Sequence, residues 1–165
     1  AMQNEHQTWL GTFAQQLMAQ GAGMLDRYKA LDILLAKLTE ARQSIEGVLK
    51  ERFLGDLPHD AEPKMREKRE LELKAAVEAE YRRRRAEVFT ALEWWLRDAW
   101  LLSLRAEASS LTFPGLQQVT HALATRVDAN RMLENIRMVE KLQRVLHTNV
   151  QEALALEVHL LKLNL

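Results

Sequence analysis

The sequence predicts an all-α fold, a helical bundle with a long, projecting antiparallel helical hairpin. Only three prolines and six glycines interrupt the 165 residues, and none of them falls between residues 64 and 107. Apolar residues recur three and four positions apart along most of the chain, which is the spacing of one helix face. The contents of 47% hydrophobic and 28% charged residues are ordinary for a globular protein.

The N-terminal part is predicted to form two helices. The first covers residues 3–20 and ends at Gly21 and Gly23, a glycine pair that allows a bend in the backbone. The second covers residues 24–54 and carries leucines at near-heptad spacing. That pattern is typical of a helix packed lengthwise against another long helix.

A loop with Gly55, Pro58 and Pro63 separates this helix from the third. Pro63 can occupy the first turn of a helix, where its missing N–H does no harm. The third helix, residues 64 to about 107, begins as a charged segment and continues as an apolar one. The predicted organisation has three parts, with residues from 24 onward forming one continuous domain. These parts are an N-terminal helix with a glycine hinge at 2–23, a hairpin at 24–87 and a bundle at 88–165.

Three shorter helices are predicted after the loop at Pro114. Asp128 is a suitable N-cap for the second of them. Asn149 and Glu152 have the spacing of a capping box at the start of the last helix, residues 150–163. Because this last helix has more apolar residues than one buried face needs, we expect a subunit contact there.

The most apolar stretch covers residues 88–104 and holds three of the four tryptophans. Trp95 belongs to one continuous helix face, whereas Trp94 and Trp100 lie off that face. A helix that is apolar nearly all round is either buried on several sides or docked on a partner. Core or subunit interface is the expected role of these tryptophans, and a ligand slot is a weaker alternative.

Two charged features stand out from the rest of the chain. Arg97 and Asp98 lie among the tryptophans, so each must be satisfied by the other, by a helix end or by a neighbouring chain. The second feature is a run of four arginines, which could contact a phosphate backbone or an acidic partner. Because glutamates surround this run, a solvated arm with internal ion pairs is the favoured interpretation. The run consists of Arg82, Arg83, Arg84 and Arg85.

No set of residues predicts catalysis, a metal site or a bound cofactor. The five histidines are scattered, and none has a second ligand at the spacing that would aim both from one helix face. The chain has no cysteine and no Gly-x-x-x-x-Gly-Lys-Ser/Thr loop that could hold a phosphate. We therefore expect neither catalytic nor metal-binding nor cofactor-binding residues.

The bulk composition indicates a cytoplasmic protein. The formal net charge is zero, which argues against whole-surface attraction to nucleic acid or to a membrane. No apolar run reaches the roughly 18 residues of a membrane span, and no signal segment is evident. Ala1 in front of Met2 looks like a cloning remnant, so the chain is expected to be a piece of a longer protein.

Two segments carry patterns that are similar to those of a known family. Trp95–Leu104 reads WLRDAWLLSL, and Asn149–Glu157 reads NVQEALALE. They resemble two helices of the C-terminal domain in bacterial clamp-loader subunits, the delta-prime and gamma/tau subunits of the DNA polymerase III holoenzyme. In that family the second pattern usually has Asn-Pro where this chain has Gln151 and Glu152. The resemblance covers about Arg82–Leu163, and the charged segment before the tryptophans looks more like delta-prime.

The resemblance implies a non-catalytic oligomerisation domain, the collar, that helps assemble the pentameric loader placing the sliding clamp on primed DNA. The expected partners are the other clamp-loader subunits. Self-association of the isolated chain is compatible with this expectation, and DNA contact by this chain is not expected. The candidate interface residues come from the two resembling segments and their flanks. They are Trp94, Arg97, Asp98, Trp100, Leu101, Asn149, Leu156, Leu160 and Leu163.

An alternative function is a stand-alone helical adaptor that binds one partner through the arginine-rich arm. The two functions differ in what mutation would do. Charge reversal at Arg82–Arg85 would abolish binding by the adaptor, whereas changes near Trp100 would weaken assembly of a collar.

Overall fold

The computed structural model describes residues 2–19 and 23–165, and every regular element in that part of the chain is helical. This confirms the all-α prediction. Two short 3₁₀ turns, Ala108–Ser110 and Pro114–Leu116, lie between the third and fourth α-helices. The α-helices are α1 Met2–Leu17, α2 Met24–Leu54, α3 Pro63–Ser103, α4 Gln117–Arg126, α5 Ala129–Leu146 and α6 Glu152–Leu160.

The helix starts follow local signals in the sequence. Helix α3 begins at Pro63, as predicted. The side chain of Asp128 accepts a hydrogen bond of 2.9 Å from the backbone N–H of Arg131, so the predicted N-cap of α5 is confirmed. The predicted capping box at Asn149 is wrong, because Gln151 is the N-cap residue of α6. A turn in which the Val150 N–H donates to the carbonyl of Thr148 keeps the preceding segment out of the helix.

Helix α1 ends at Leu17, before the predicted glycine break. Gly21, the first glycine of that break, lies outside the described residues, and so does Ala22. Helix α2 then begins at Met24, where the sequence predicted it.

The described residues form two compact units, and each is treated by itself. The first unit consists of the residues up to Leu35 together with Val88–Leu165. The second unit is Ala36–Glu87. The expectation that a hairpin projects from the bundle concerns the placement of these units and stays a prediction.

The core of the first unit contains a chain of aromatic rings. Trp9 lies edge-on to Phe13 at 6.2 Å between ring centroids, and Phe13 lies edge-on to Trp95 at 6.3 Å. Such pairs add about 0.5–1.5 kcal/mol each beyond the burial of their area. The indole N–H of Trp95 donates to the Thr120 hydroxyl at 3.0 Å, so the largest buried side chain also satisfies its polar atom.

The C-terminal part of the first unit is fixed by polar contacts as well as by packing. Helix α6 packs on α5. The Asn135 side chain donates to the carbonyl of Asn164 and accepts from its N–H, both at 2.8 Å. Arg27 donates to the carbonyl of Leu161 at 2.9 Å, at the C-terminal end of α6. These bonds hold the last helix and the segment that follows it.

The second unit has a small core between the two helical segments that form it. Ile45, Val77 and Tyr81 are buried there. Arg42 donates to Glu78 at 2.7 Å, and its guanidinium lies over the Tyr81 ring at 4.0 Å. Met65 and Leu71, which lie on the same helix as Val77 and Tyr81, are exposed. Leu49 and Leu73 are partly buried and pack against the core.

Candidate interaction surfaces

The second half of α3 has an inner face in the core and an outer face at the surface of the first unit. Trp95 and Leu96 on the inner face are completely buried. We call the opposite side the outer tryptophan face, and it consists of Trp94, Arg97, Trp100, Leu101 and Leu104. Trp94 is 45% exposed and Leu104 is 53% exposed. Arg97 is also exposed, while Trp100 and Leu101 are half-buried.

The two faces follow from helical geometry. Each residue turns about 100° around the axis of an α-helix, so Trp94 and Trp95 point in clearly different directions. Trp94, Arg97, Leu101 and Leu104 recur at steps of three and four, which places them along one stripe. Four of the predicted interface residues, Trp94, Arg97, Trp100 and Leu101, are therefore brought together on one surface.

Asp98 is completely buried, in contrast to Arg97 beside it. Its carboxylate accepts one hydrogen bond from the N–H of Thr112 at 2.9 Å and another from the N–H of Phe113 at 2.8 Å. These bonds fix the loop after α3 and satisfy the buried charge. Asp98, which the sequence predicted as an interface residue, is thus placed by the structure inside the first unit, where it holds the loop after α3.

Glu93, one turn before Arg97, is engaged inside the first unit as well. Gln143 of α5 donates a hydrogen bond of 2.6 Å to its carboxylate. Burial raises the pKa of Glu93, and the charge of Glu140 adds to that increase, while the hydrogen bond from Gln143 opposes it. Glu93 therefore ties α3 to α5 and keeps a carboxylate in a position that disfavours its charge.

Helix α3 ends in a left-handed residue next to the outer tryptophan face. Arg105 has a φ of 61°, a conformation that ordinarily favours glycine. The N–H of Ala106 donates to the carbonyl of Leu101, and the N–H of Arg105 donates to that of Leu102, each at 3.0 Å. This is the hydrogen-bond pattern of a Schellman motif, and it ends the helix after Ser103.

Helix α6 exposes a different side from the one that the sequence suggested. Leu156, Leu160 and Leu163 are buried. The sequence predicted them as interface residues, and the structure places them in the core of the first unit. Leu154 is 54% exposed and Val158 is 42% exposed. The four-residue spacing of these two side chains was present in the sequence, but the number of leucines on the helix concealed which side faces inward.

Asn149, the remaining candidate on the C-terminal side, is exposed. It lies in the turn before α6, next to Val150, which is exposed too. We call the exposed apolar residues Val150, Leu154 and Val158 the C-terminal apolar patch.

The arginine run of the second unit is largely balanced by glutamates of the same helix. Arg83 forms ion pairs with Glu80 and Glu87, and Arg84 pairs with Glu87 at 2.9 Å. The hydrogen bond from Arg83 lowers the pKa of Glu80. Ion pairs of this kind, between residues of one helix, are what the sequence predicted for a solvated arm.

The remaining two arginines of the run differ from each other in exposure. Arg82 is exposed, and Arg85 is half-buried with its guanidinium 5.7 Å from the centre of the Tyr81 ring. The positive charge of the run is therefore spread over ion pairs, an aromatic contact and solvent.

Within residues 2–19 and 23–165, no group of three His, Asp or Glu side chains is arranged to hold a metal ion. No helix in that part of the chain combines the length and the apolar character that crossing a bilayer requires. No protein-family model, curated protein or solved structure matches this chain. The outer tryptophan face and the C-terminal apolar patch are therefore the features on which a function can be argued.

Proposed function

We propose that this chain is the non-catalytic collar domain of a delta-prime-like subunit of a bacterial DNA polymerase III clamp loader. In this role it works in the cytoplasm, by assembling with the other loader subunits and not by a reaction of its own. The observation that carries the proposal is the outer tryptophan face. It presents two tryptophans and two leucines on a helix whose other side is fully buried.

An exposed surface of this composition has a cost that a partner can remove. Covering a large apolar side chain contributes roughly 1.5–3 kcal/mol, and the exposed parts of Trp94 and Leu104 forgo much of that gain. Tryptophan, together with tyrosine and arginine, is enriched among the residues that dominate the energy of protein interfaces. The C-terminal apolar patch gives a second, smaller surface of the same kind on the first unit.

The two segments that resemble clamp-loader subunits both belong to the first unit. Within the first segment, the adjacent Arg and Asp have separate roles in this chain. Asp98 holds the loop after α3 from inside, and Arg97 faces outward. An Arg-Asp pair between tryptophans is thereby compatible with a helix that is both a core element and a contact surface.

The adaptor alternative receives less support from the second unit. Arg83 and Arg84 are already paired with glutamates one turn away, so binding an acidic partner would require those pairs to open. Exposed pairs are worth only about 0.2–1 kcal/mol each, so this cost is small. The exposed apolar surface of the first unit therefore supports the collar more strongly than the ion pairs of the second unit count against the adaptor.

The proposal is tested by reconstituting the loader from the full-length parent protein and the other loader subunits of the same genome. Trp100→Ala, or Leu154→Asp in the C-terminal apolar patch, should reduce the fraction of assembled complex in size-exclusion chromatography. Leu71→Asp, which changes a similarly exposed leucine of the second unit, is the matched control and should assemble normally. Charge reversal at Arg82 and Arg83 should also leave assembly unchanged.

Two results would contradict the proposal. Full assembly by both Trp100→Ala and Leu154→Asp would show that neither surface is used. Loss of binding only on charge reversal at Arg82 and Arg83 would favour the adaptor.

A further inference from the structure

Arg97 is an exposed cation among the apolar side chains of the outer tryptophan face. We infer that the outer tryptophan face receives an apolar helix of a neighbouring subunit that carries a carboxylate opposite Arg97. This inference rests on the proposed function and adds to it the chemistry of the partner.

The carboxylates closest to Arg97 in sequence are both used elsewhere. Asp98 is buried and bound to two backbone N–H groups. Glu93 is at the i−4 position, from which a glutamate commonly pairs with an arginine one turn later, but it accepts a hydrogen bond from Gln143. Among the residues that the structure describes, none forms an ion pair with Arg97.

The apolar surroundings determine what an occupant of this surface must provide. Trp94, Trp100 and Leu101 lie three or four residues from Arg97, so an occupant that covers them also removes water from the guanidinium. A desolvated charge without a partner costs several kcal/mol. A carboxylate removes that cost, because the planar guanidinium can donate two parallel hydrogen bonds to it.

The same surroundings favour a protein helix over a nucleic acid. Binding to a phosphate backbone depends on several cations that together release counterions. The outer tryptophan face has one arginine among four apolar side chains, and Arg105 lies just beyond its end. An apolar helix with one or two carboxylates matches this composition, whereas a polyanion would leave the tryptophans and leucines uncovered.

Three substitutions separate the charge of Arg97 from the bulk of its side chain. In the full-length parent protein, Arg97→Met removes the charge and keeps a long side chain, Arg97→Lys keeps the charge and loses the planar fork, and Arg97→Glu reverses the charge. All four residue types have similar helix propensity, so the thermal melting of the variants should match that of the unaltered protein. Arg131→Glu is the matched control, because Arg131 is exposed and already has a carboxylate partner in Asp128 at 3.6 Å.

The dissociation constant for the purified remaining subunits of the loader is measured for each variant at low and at moderate salt. Truncating one partner of a desolvated charge pair commonly costs 2–5 kcal/mol, so we expect Arg97→Met to weaken binding by about 30-fold or more. Arg97→Glu should weaken it further, Arg97→Lys less, and Arg131→Glu by less than about twofold. The binding of Arg97→Met should also depend less on salt than that of the unaltered protein.

The possible results distinguish the inference from the function on which it rests. If the unaltered protein binds the other subunits and Arg97→Glu binds equally well, the inference is overturned and the proposed function stands. If the unaltered protein does not bind them, the proposed function is overturned and the inference with it. If Arg97→Glu loses affinity only when primed DNA is present, the cation contacts phosphate, and the inference is again overturned.

Discussion

Trp94 and Trp95 are adjacent in sequence and have opposite environments. Trp95 is completely buried, bonds to Thr120 and meets the ring of Phe13. Trp94 leaves almost half of its surface in solvent. One step along the helix therefore separates a residue that stabilises the first unit from a residue that is available to a partner.

This comparison shows why hydrophobicity alone does not identify an interface. Residues 88–104 are apolar nearly all round the helix, but only the inner face has core residues packed against it. The apolar residues on the outer tryptophan face remain partly or largely exposed to solvent. Because each face carries a tryptophan, the same substitution can be made on both faces and its effects compared.

The largest expected effect comes from truncating the buried tryptophan. Trp95→Ala should lower the free energy of unfolding by about 3–5 kcal/mol, because it leaves a cavity and removes the indole that binds Thr120. Trp94→Ala should cost clearly less, about 1 kcal/mol, because nearly half of that side chain is already in solvent. Chemical denaturation of both variants checks this, and equal losses would remove the basis for separating the two faces.

The next largest loss of stability is expected in α6, where a buried leucine can be compared with an exposed one. Leu156→Ala should cost about 2–5 kcal/mol, since Leu156 is completely buried. Leu154→Ala, two residues earlier on the exposed side, should cost less than about 0.5 kcal/mol. The midpoint of urea unfolding measures both, and a large loss for Leu154→Ala would place that residue in a contact which the structure does not contain.

A smaller effect is expected where the inner face is polar. Asp98→Asn has nearly the same shape as the native side chain but presents only one acceptor oxygen to the N–H groups of Thr112 and Phe113. We expect a loss of about 1.5–3 kcal/mol, because a charge-assisted bond is lost and a buried donor is left unsatisfied. Arg97→Gln, the same kind of change one residue earlier, should be nearly neutral in the same thermal melt. Equal stability of Asp98→Asn and the native chain would contradict the role given to the carboxylate.

The smallest effect concerns Glu93, one turn before Arg97 on α3. Since burial raises its pKa above the ordinary value of about 4.3, the folded state binds more protons than the unfolded state between those two pKa values. The free energy of unfolding that this group contributes therefore falls as the pH rises through that window.

Glu93→Gln should accordingly stabilise the protein at pH 7, and the gain should disappear at a pH below about 4. The side chain is half-buried, so solvent screening keeps the gain below about 1 kcal/mol. Glu140→Gln, which removes only the neighbouring charge, should give a smaller gain in the same series of melts. A stabilisation by Glu93→Gln that is the same at pH 3 and pH 7 would exclude the electrostatic cause.

The sequence was sufficient for the helices because their signals are local. Pro63 and Asp128 mark helix starts, and periodicity separates the inner face of α3 from the outer one. It was insufficient for Asp98 and for Leu156, Leu160 and Leu163. Their burial depends on which helices pack against them, which is information about distant parts of the chain. Leu154 and Val158 were missed for the same reason.

The central claim is that the outer tryptophan face becomes covered when the loader assembles. The chain has no cysteine, so a Leu104→Cys substitution introduces a single thiol to which an environment-sensitive fluorophore can be attached. Any reactive thiol elsewhere in the full-length parent protein is removed first. Leu71→Cys, at a similarly exposed leucine of the second unit, is the control. The account predicts that adding the other loader subunits shifts the emission at Leu104 to shorter wavelength and leaves that at Leu71 unchanged. Formation of the complex with no change at Leu104 would contradict it.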